Sequence, residues 1–373
     1  MRVIVIGAGL GGLTLAHGLR RAGIEVAVYE RDGVLGRPQG VSLHVDDRGI
    51  AALRECLPPA HVAMVEATLG GAREQTLTLS DVEGELAVVA ARSSDGMSGR
   101  ARPGRQAHRP LLRAVLLTGL DDVVRFGAEF RRFEWRADGR VRAFFADGRT
   151  DTADVLVGAD GVGSAVRRQY LPDVRVADTG RRVMMGATPL GVVAGLGLPG
   201  LIGDDPAVAR VGGTTMALGV LRFGCRPVVA REKWLPALGS HAVAEIEDYV
   251  MWALPVTKER LGSPAEVWRQ ADEPHPALRS IVAETRQDVT AVLRIGVIPP
   301  MPAWPVTPVT VLGDAIHLAP GFGGNLAMRD ANRLREALVE ADRGRLDLLD
   351  AIGAYEDTMR RDSFPTSSAK ASA

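Results

Sequence analysis

Short, continuous apolar runs alternate along this chain with stretches whose apolar residues recur at helical spacing. Residues 3–6, VIVI, are followed across a few glycines by LTLAHGLRRAG, which reads as a helix, and then by a second apolar run over residues 24–29. Strand, helix and strand with short connections predict the opening of a parallel sheet. A polar, turn-rich stretch leads to the helical run IAALRECL, which Pro58 and Pro59 terminate. Residues 76–80 and 85–92 read as paired strands. The basic, glycine-rich RSSDGMSGRARPGR behind them reads as a loop, either simply solvated or steering a phosphate. HRPLLRAVLLTGL, residues 108–120, is amphipathic with helical period.

From residue 123 to 157 the alternation changes to that of strands, with Asp138-Gly139 and Asp147-Gly148 as hairpin turns between them. DVLVGADG closes this stretch as a continuous apolar run, the pattern of a strand buried on both faces of a parallel sheet. Residues 174–290 are less regular; they predict strands near 183–190 and 214–223 and a helix near 242–252. A final apolar strand spans 309–314, and amphipathic helices follow at 326–342 and 346–360, before a small, polar tail. The opening unit and the strands near 155 and 309 can share one parallel sheet. The two segments between them are then free to build a second domain.

The glycines of the first turn carry specific chemistry. Gly7, Gly9 and Gly12 stand directly between the first strand and the first helix. In that context the first glycine permits the tight turn, the second admits a pyrophosphate to the backbone, and the third allows close helix–strand packing. Unpaired N–H groups at the helix N-terminus then hold the anion. Glu30 ends the second strand, where an acidic side chain accepts from a ribose hydroxyl. The alternative is a glycine-rich turn without a ligand, and the strand, the helix and Glu30 in their proper places speak against it.

Composition narrows the class further. A chain of 373 residues, 46% hydrophobic and 24% charged, is long enough for a large elaborated domain or two to three smaller ones. Its net charge of +0 gives no overall positive field for nucleic acid or anionic lipid. Cys56 and Cys225 are the only cysteines, which excludes a disulfide framework and a cysteine-based zinc site and suits the cytoplasm. No apolar run is long enough to span a membrane, and the first is broken by glycine too early for a signal peptide. Neither a nucleophile triad motif nor metal-ligand spacing stands out, so no metal is expected.

Two further segments join the first motif. One is Gly158-Ala159-Asp160-Gly161, with Ser164 and Arg167 following; the other is Gly313-Asp314, with His317, Pro320 and a glycine-rich stretch up to Asn325. With these three segments the chain resembles, over nearly its whole length, the single-component FAD monooxygenases of the p-hydroxybenzoate hydroxylase type. The resemblance implies an α/β fold: a Rossmann-like FAD-binding domain of the glutathione-reductase type with an inserted mixed-sheet substrate domain. The expected division assigns 1–75, 105–173 and 295–373 to the FAD-binding domain and its C-terminal helices, and 76–104 and 174–294 to the substrate domain.

Residue by residue, the resemblance assigns Gly7, Ala8, Gly9, Gly12, Glu30 and Arg31 to the ADP half of FAD. Asp160 and Gly161 serve FAD and the nicotinamide cofactor, and Gly313 and Asp314 the ribityl chain. Pro320, Gly323, Gly324, Asn325 and Leu326 lie along the flavin, and Arg109, with Arg113 as a second candidate, reaches it from the amphipathic helix. The implied reaction is hydroxylation or epoxidation of an aromatic or polyketide-like small molecule by oxygen through a flavin C4a-hydroperoxide. NAD(P)H, with NADPH favoured, acts as a transient reductant. Its docking is expected near Asp160 and the basic stretch of Arg100, Arg102, Arg105 and Arg109. The expected protein is a monomer or homodimer of secondary metabolism.

Other readings remain open at this point. Asp160 by itself is equally an ordinary turn aspartate. His44 is a weak candidate for the substrate pocket, and His17 and His317 read as packing and structural residues. Met184, Met185, Trp234, Trp252, Trp268 and Trp304 read first as packing, although one tryptophan could stack on a substrate. Relatives carry P-x-x-G-x-G-x-N after Gly-Asp, whereas residues 317–331 read HLAPGFGGNLAMRDA, a few residues shorter. A reductase of the same fold and a catalytically silent flavin-binding partner protein are therefore the competing functions.

Overall fold

The computed structural model describes residues 1–34, 36, 39–93, 103–211, 214–257, 275–318 and 323–364. Its first layer is a five-stranded, wholly parallel sheet in the order Val309–Val311, Val155–Gly158, Arg2–Ile6, Glu25–Tyr29, Val124–Arg125. Val3, Ile4 and Val5 are each 0% exposed, which is why this strand reads as an unbroken apolar run. The helix Leu10–Arg21 covers the sheet and packs against the long helix Gly323–Asp342. Glycine makes that approach possible: a Cβ on Gly11 would lie 3.1 Å from the Ala327 Cβ, and one on Gly18 2.6 Å from Arg335 Cδ.

A second sheet has seven strands in the order Ala291–Val297, Ala177–Pro189, Tyr249–Thr257, Thr214–Leu221, Ala207–Val211, Gln75–Val82, Glu85–Ser93. It is mixed, since Ala207–Val211 runs parallel to Gln75–Val82 while its other pairs are antiparallel. The predicted helix near 242–252 is corrected here. Tyr249–Thr257 is a strand near the middle of this sheet, hydrogen-bonded on both sides, and its apolar YVMWALPV run reflects that position rather than a helix face.

Two smaller antiparallel sheets complete the fold: Thr150–Ala153, Val141–Phe145, Phe130–Trp135, and Ser42–Asp46, Gly104–His108, Ala72–Arg73. Gly104 and Arg105, read from sequence as loop, therefore belong to a strand, and the amphipathic helix begins after it, at Arg109–Leu117. Pro58 and Pro59 end one helix and open another, Pro59–Ala67, with Pro59 at the first position, where its missing N–H costs nothing. A buried polar bridge joins the Ser42–Asp46 sheet to the large one. Gln106 donates to Ser42 Oγ at 2.5 Å and accepts from Arg73, whose Nε donates to the Asp204 carbonyl at 3.0 Å. Burial pushes the Arg73 guanidinium down to about 10.

Candidate functional site

Four parallel strands end side by side, and each delivers one motif to the same edge of the sheet. Arg2–Ile6 runs into Gly7, Glu25–Tyr29 into Glu30, Val155–Gly158 into Asp160, and Val309–Val311 into Gly313 and Asp314. The carboxyl edge is where open α/β sheets bind ligands.

The first turn is fixed sterically. Gly7 has φ +109°, and a Cβ there would come 2.4 Å from the Ala159 carbonyl oxygen, so the first and second motifs touch through this glycine. Gly12 lies under the turn, with a Cβ position only 2.1 Å from the Gly7 oxygen. Gly9 differs, because a Cβ there would meet nothing within 4 Å among the described residues. Space is thus open where the helix N-terminus presents its unpaired N–H groups. Glu30 accepts from Ala8 N at 2.8 Å and from Asp32 N at 2.9 Å, which anchors its carboxylate beside that turn.

Arg113 and Arg109 leave one helix but serve different places. Arg113 donates to the carbonyls of Ala8, at 3.1 Å, and Val34, at 2.8 Å, and is attracted by Glu30 and Asp32. Arg109 bonds Gln39 and is attracted instead by Asp314. Arg31 is exposed and lies 3.9 Å from Asp32. Asp314 is reached by solvent although protein crowds it; that crowding pushes its carboxyl up, against the pull of His317 and Arg109. The Gly323 backbone sits directly beside it, since a Cβ there would be 2.6 Å from Asp314 Oδ1.

Asp160 serves a structural bond and keeps a spare atom. Its Oδ2 accepts from Ala165 N at 2.6 Å and Val166 N at 3.2 Å, capping the helix Ala165–Tyr170. Oδ1 is enclosed without a partner at full hydrogen-bonding geometry among the described residues, and burial raises the carboxyl's pKa against the opposing pull of Ser164 and the two backbone N–H groups. Gly161 next to it has φ +73°, a conformation glycine adopts freely.

Several expected ligand residues also hold the chain in place. Asn325 is 0% exposed; it accepts from Asp46 N at 3.0 Å and donates to the His44 carbonyl at 2.7 Å. Gly324 packs on Leu43, and Leu326 is half-buried. His317 contacts Asp330 at 2.5 Å, and Asp330 also accepts from Gly313 N at 3.2 Å, so this pair shapes the Gly313 turn. His44 stands against the Gly104 backbone. Trp252, 0% exposed, donates to Thr285 at 3.2 Å and is a packing residue, as are buried Met184 and Cys56, whose thiol burial pushes up to about 12. Pro320, Arg100, Arg102 and Trp268 lie outside the described residues.

Arg167, named with the second motif but given no role from sequence, and His108, not singled out there, both belong to the site's surroundings. Arg167, 3% exposed, donates to the Ala315 carbonyl at 2.6 Å and the Val162 carbonyl at 2.9 Å, joining the second motif to the third. His108 caps the Arg109–Leu117 helix, with its ring edge-on to Tyr249 at 5.6 Å and Phe223 at 6.3 Å. Its Nδ1 is enclosed without a partner, and burial beside Arg286 lowers its pKa to about 4. Among the described residues no group of His, Cys, Asp and Glu could hold a metal, and no helix is long and apolar enough to cross a membrane.

Residues 5–44 match the model of an NAD(P)-binding Rossmann-like domain. Over 95% of this chain and 83% of the relative, the sequence is 28% identical to an FAD-dependent urate hydroxylase of Mycolicibacterium vanbaalenii. The crystal structure of a protein described as an FAD-containing monooxygenase from Photorhabdus luminescens superposes with a TM-score of 0.78 at 28% identity, covering 97% of this chain and 94% of that one. The chain is similar to FAD-dependent monooxygenases in both sequence and fold. The similarity extends to a dual O-methyltransferase/FAD-dependent monooxygenase of Cercospora beticola, 31% identical over 96% of this chain. The chain spans 44% of that relative's length. The Rossmann-like parallel sheet and the separate mixed sheet agree with the likeness to the Photorhabdus luminescens structure.

Proposed function

We propose that the chain is a monooxygenase that binds FAD and uses NAD(P)H, preferentially NADPH, and oxygen to hydroxylate or epoxidise an aromatic or polyketide-like small molecule. The observation that carries this reading is the convergence of Gly9, Glu30, Asp160 and Asp314 on the carboxyl edge of four neighbouring strands, with Arg109 drawn to Asp314. Such a set fits FAD. The open space at Gly9 and the helix N-terminus suit a pyrophosphate. Glu30 keeps lone pairs for a ribose hydroxyl beyond its two backbone bonds. Asp314, reachable and charge-balanced by Arg109, suits the ribityl hydroxyls.

When bound, FAD supplies reduction by NAD(P)H and activation of oxygen. Around it, Arg167 holds the Asp160 and Asp314 segments at a fixed separation, and His317 with Asp330 fixes the Gly313 turn. Asp160, with its spare Oδ1, is the group we assign to the shared edge of FAD and the nicotinamide cofactor. His108, neutral and enclosed between Tyr249 and Phe223, borders the large sheet from which the substrate wall is built.

The deciding experiment reconstitutes the protein with FAD and follows NADPH and oxygen consumption with a panel of phenolic and polyketide-like compounds, analysing products formed under labelled oxygen. Substrate-dependent consumption with one labelled oxygen atom in the product is the expected result. NADPH oxidation without oxygen insertion would replace the proposal by a reductase, and bound FAD that NADPH cannot reduce would replace it by a silent flavin-binding protein.

A further inference from the structure

A pocket of about 250 Å³ opens at the other end of the parallel sheet, away from Asp314. It lies between the strand Phe130–Trp135, the C-terminal end of the helix Ala165–Tyr170, and the segment that leads into the strand Val309–Val311. Its walls are aromatic: Phe133, Trp135, Tyr170 and Trp304, with Leu171 and Gln169 between them. No lining residue is charged.

These walls are held before anything enters. Gln169 makes two bonds to the backbone of Phe133, accepting from its N at 2.9 Å and donating to its carbonyl at 2.8 Å. Trp135 stands edge-on to Phe133 with centroids 5.2 Å apart. The Arg360 guanidinium lies 4.6 Å from the Trp304 ring centre, and Tyr170 donates to the Pro305 carbonyl at 3.2 Å. Trp135 is 50% exposed at the mouth, so its ring remains reachable from outside the pocket.

A polar corner accompanies the aromatic walls. Trp304 Nε1 is enclosed close to Tyr170 and Glu356, with no partner at full hydrogen-bonding geometry among the described residues. Behind it, Glu356 is 0% exposed; its Oε1 accepts from Thr310 at 2.8 Å and from Tyr170 at 3.5 Å, while Oε2 has no partner at full hydrogen-bonding geometry among the described residues. Burial pushes the Glu356 carboxyl up to about 7 against the opposing pull of Thr310, Trp304, Arg360 and Tyr170. An indole donor and a carboxylate acceptor thus share one corner of the fold without meeting at full hydrogen-bonding geometry.

We infer that this pocket is a binding site for a neutral, planar aromatic molecule of one or two rings carrying a polar edge, separate from the cofactor edge of the sheet. Uncharged walls would strip an ion of water without replacing it, which selects a neutral guest. Size agrees, since an engineered apolar cavity of roughly 150 Å³ already accepts benzene. Aromatic faces on several sides select a flat ring, and fixed walls lower the ordering cost of binding. The site also has a structural route to the cofactor edge. Tyr170 ends the helix that Asp160 caps, and the segment containing Trp304 enters the strand that delivers Asp314.

The test uses FAD-loaded full-length protein and 4-fluorophenol, followed by fluorine NMR, with the Trp304 indole N–H observed in parallel and assigned by its loss in Trp304→Phe. Saturable binding that shifts the Trp304 indole signal is expected, and Trp135→Ala should weaken it roughly two- to tenfold, the scale of one aromatic contact. Trp135 is half exposed, so its replacement leaves the fold intact and keeps the test decisive if Trp304→Phe proves unstable. Absence of saturable binding overturns the inference. So does binding that leaves the Trp304 signal in place and is unchanged in Trp135→Ala, since the probe would then sit elsewhere, such as beside the flavin.

Discussion

Arg167 donates its Nη1 hydrogen to the carbonyl of Ala315 at 2.6 Å, and with that bond the second and third motifs, far apart in sequence, become one edge. The same guanidinium holds the Val162 carbonyl at 2.9 Å. Replacing Arg167 by Ala leaves buried carbonyls without a donor, which costs about 1–3 kcal/mol of stability. Urea denaturation of the two proteins should show this loss. FAD titration should show weaker binding as well, because Asp160 and Asp314 lose their common brace. Unchanged stability would mean that the two segments are held by their strand pairing alone.

Gly7 and Gly9 should respond differently to the same added methyl group. In Gly7→Ala the new Cβ meets the Ala159 carbonyl at 2.4 Å, in a backbone with φ +109°. The clash comes on top of a conformational cost of roughly 1–2 kcal/mol, so cofactor-free protein should melt at clearly lower temperature. Gly9→Ala meets no atom of the described residues within 4 Å, so its cofactor-free melting temperature should stay close to the parent's. Its FAD affinity should fall, because the methyl occupies the space assigned to the pyrophosphate. Equal FAD affinity in Gly9→Ala and the parent would place the pyrophosphate elsewhere.

How much of this could be read from the chain depends on whether a signal is local. The turn at Gly7, the strand ending in Glu30 and the strand before Asp314 were legible because each is written in consecutive residues. Tyr249–Thr257 was not: an apolar run long enough for a helix becomes a strand only because two neighbours, distant in sequence, bond to it. The strand Gly104–His108 was hidden in the same way by a loop-like composition that pairing with Ser42–Asp46 overrides. Asn325 matches a ligand motif, and its amide also accepts from Asp46 N and donates to the His44 carbonyl, contacts that no local pattern announces. Arg167 and His108 sit beside recognisable motifs, but only the fold shows what their side chains meet.

Asp314 and Arg109 form the charge-balanced part of the edge. Asp314→Ala removes hydrogen bonds from a charged acceptor, worth about 1.5–3 kcal/mol, and should weaken FAD roughly ten- to a hundredfold. Asp314→Asn, which keeps the shape and one acceptor, should lose less. An FAD dissociation constant unchanged in both variants would exclude Asp314 from the ribityl assignment.

Acid should weaken the fold through a pair of histidines on the far side of the first helix. His17 and His61 stand edge-on with ring centres 5.0 Å apart, and each Nε2 donates to a carbonyl, His17 to Leu116 and His61 to Thr118, both at 2.9 Å. Burial, His61 and the nearby Arg20 and Arg21 lower the His17 pKa from 6.5 to about 4, against the pull of the Leu116 bond, and burial lowers that of His61 as well. A folded-state pKa below the unfolded value means that the unfolded chain takes up the proton first. Stability from the neutral rings is therefore complete above about pH 6.5 and is lost as pH falls towards 4. For His17 alone the loss at pH 5 is about 2 kcal/mol. Urea denaturation at pH 7 and pH 5 measures it, with His17→Gln, which keeps a donor for Leu116, as the control that should lose correspondingly less on acidification. The same pH dependence in His17→Gln and the parent would assign the acid sensitivity to other groups.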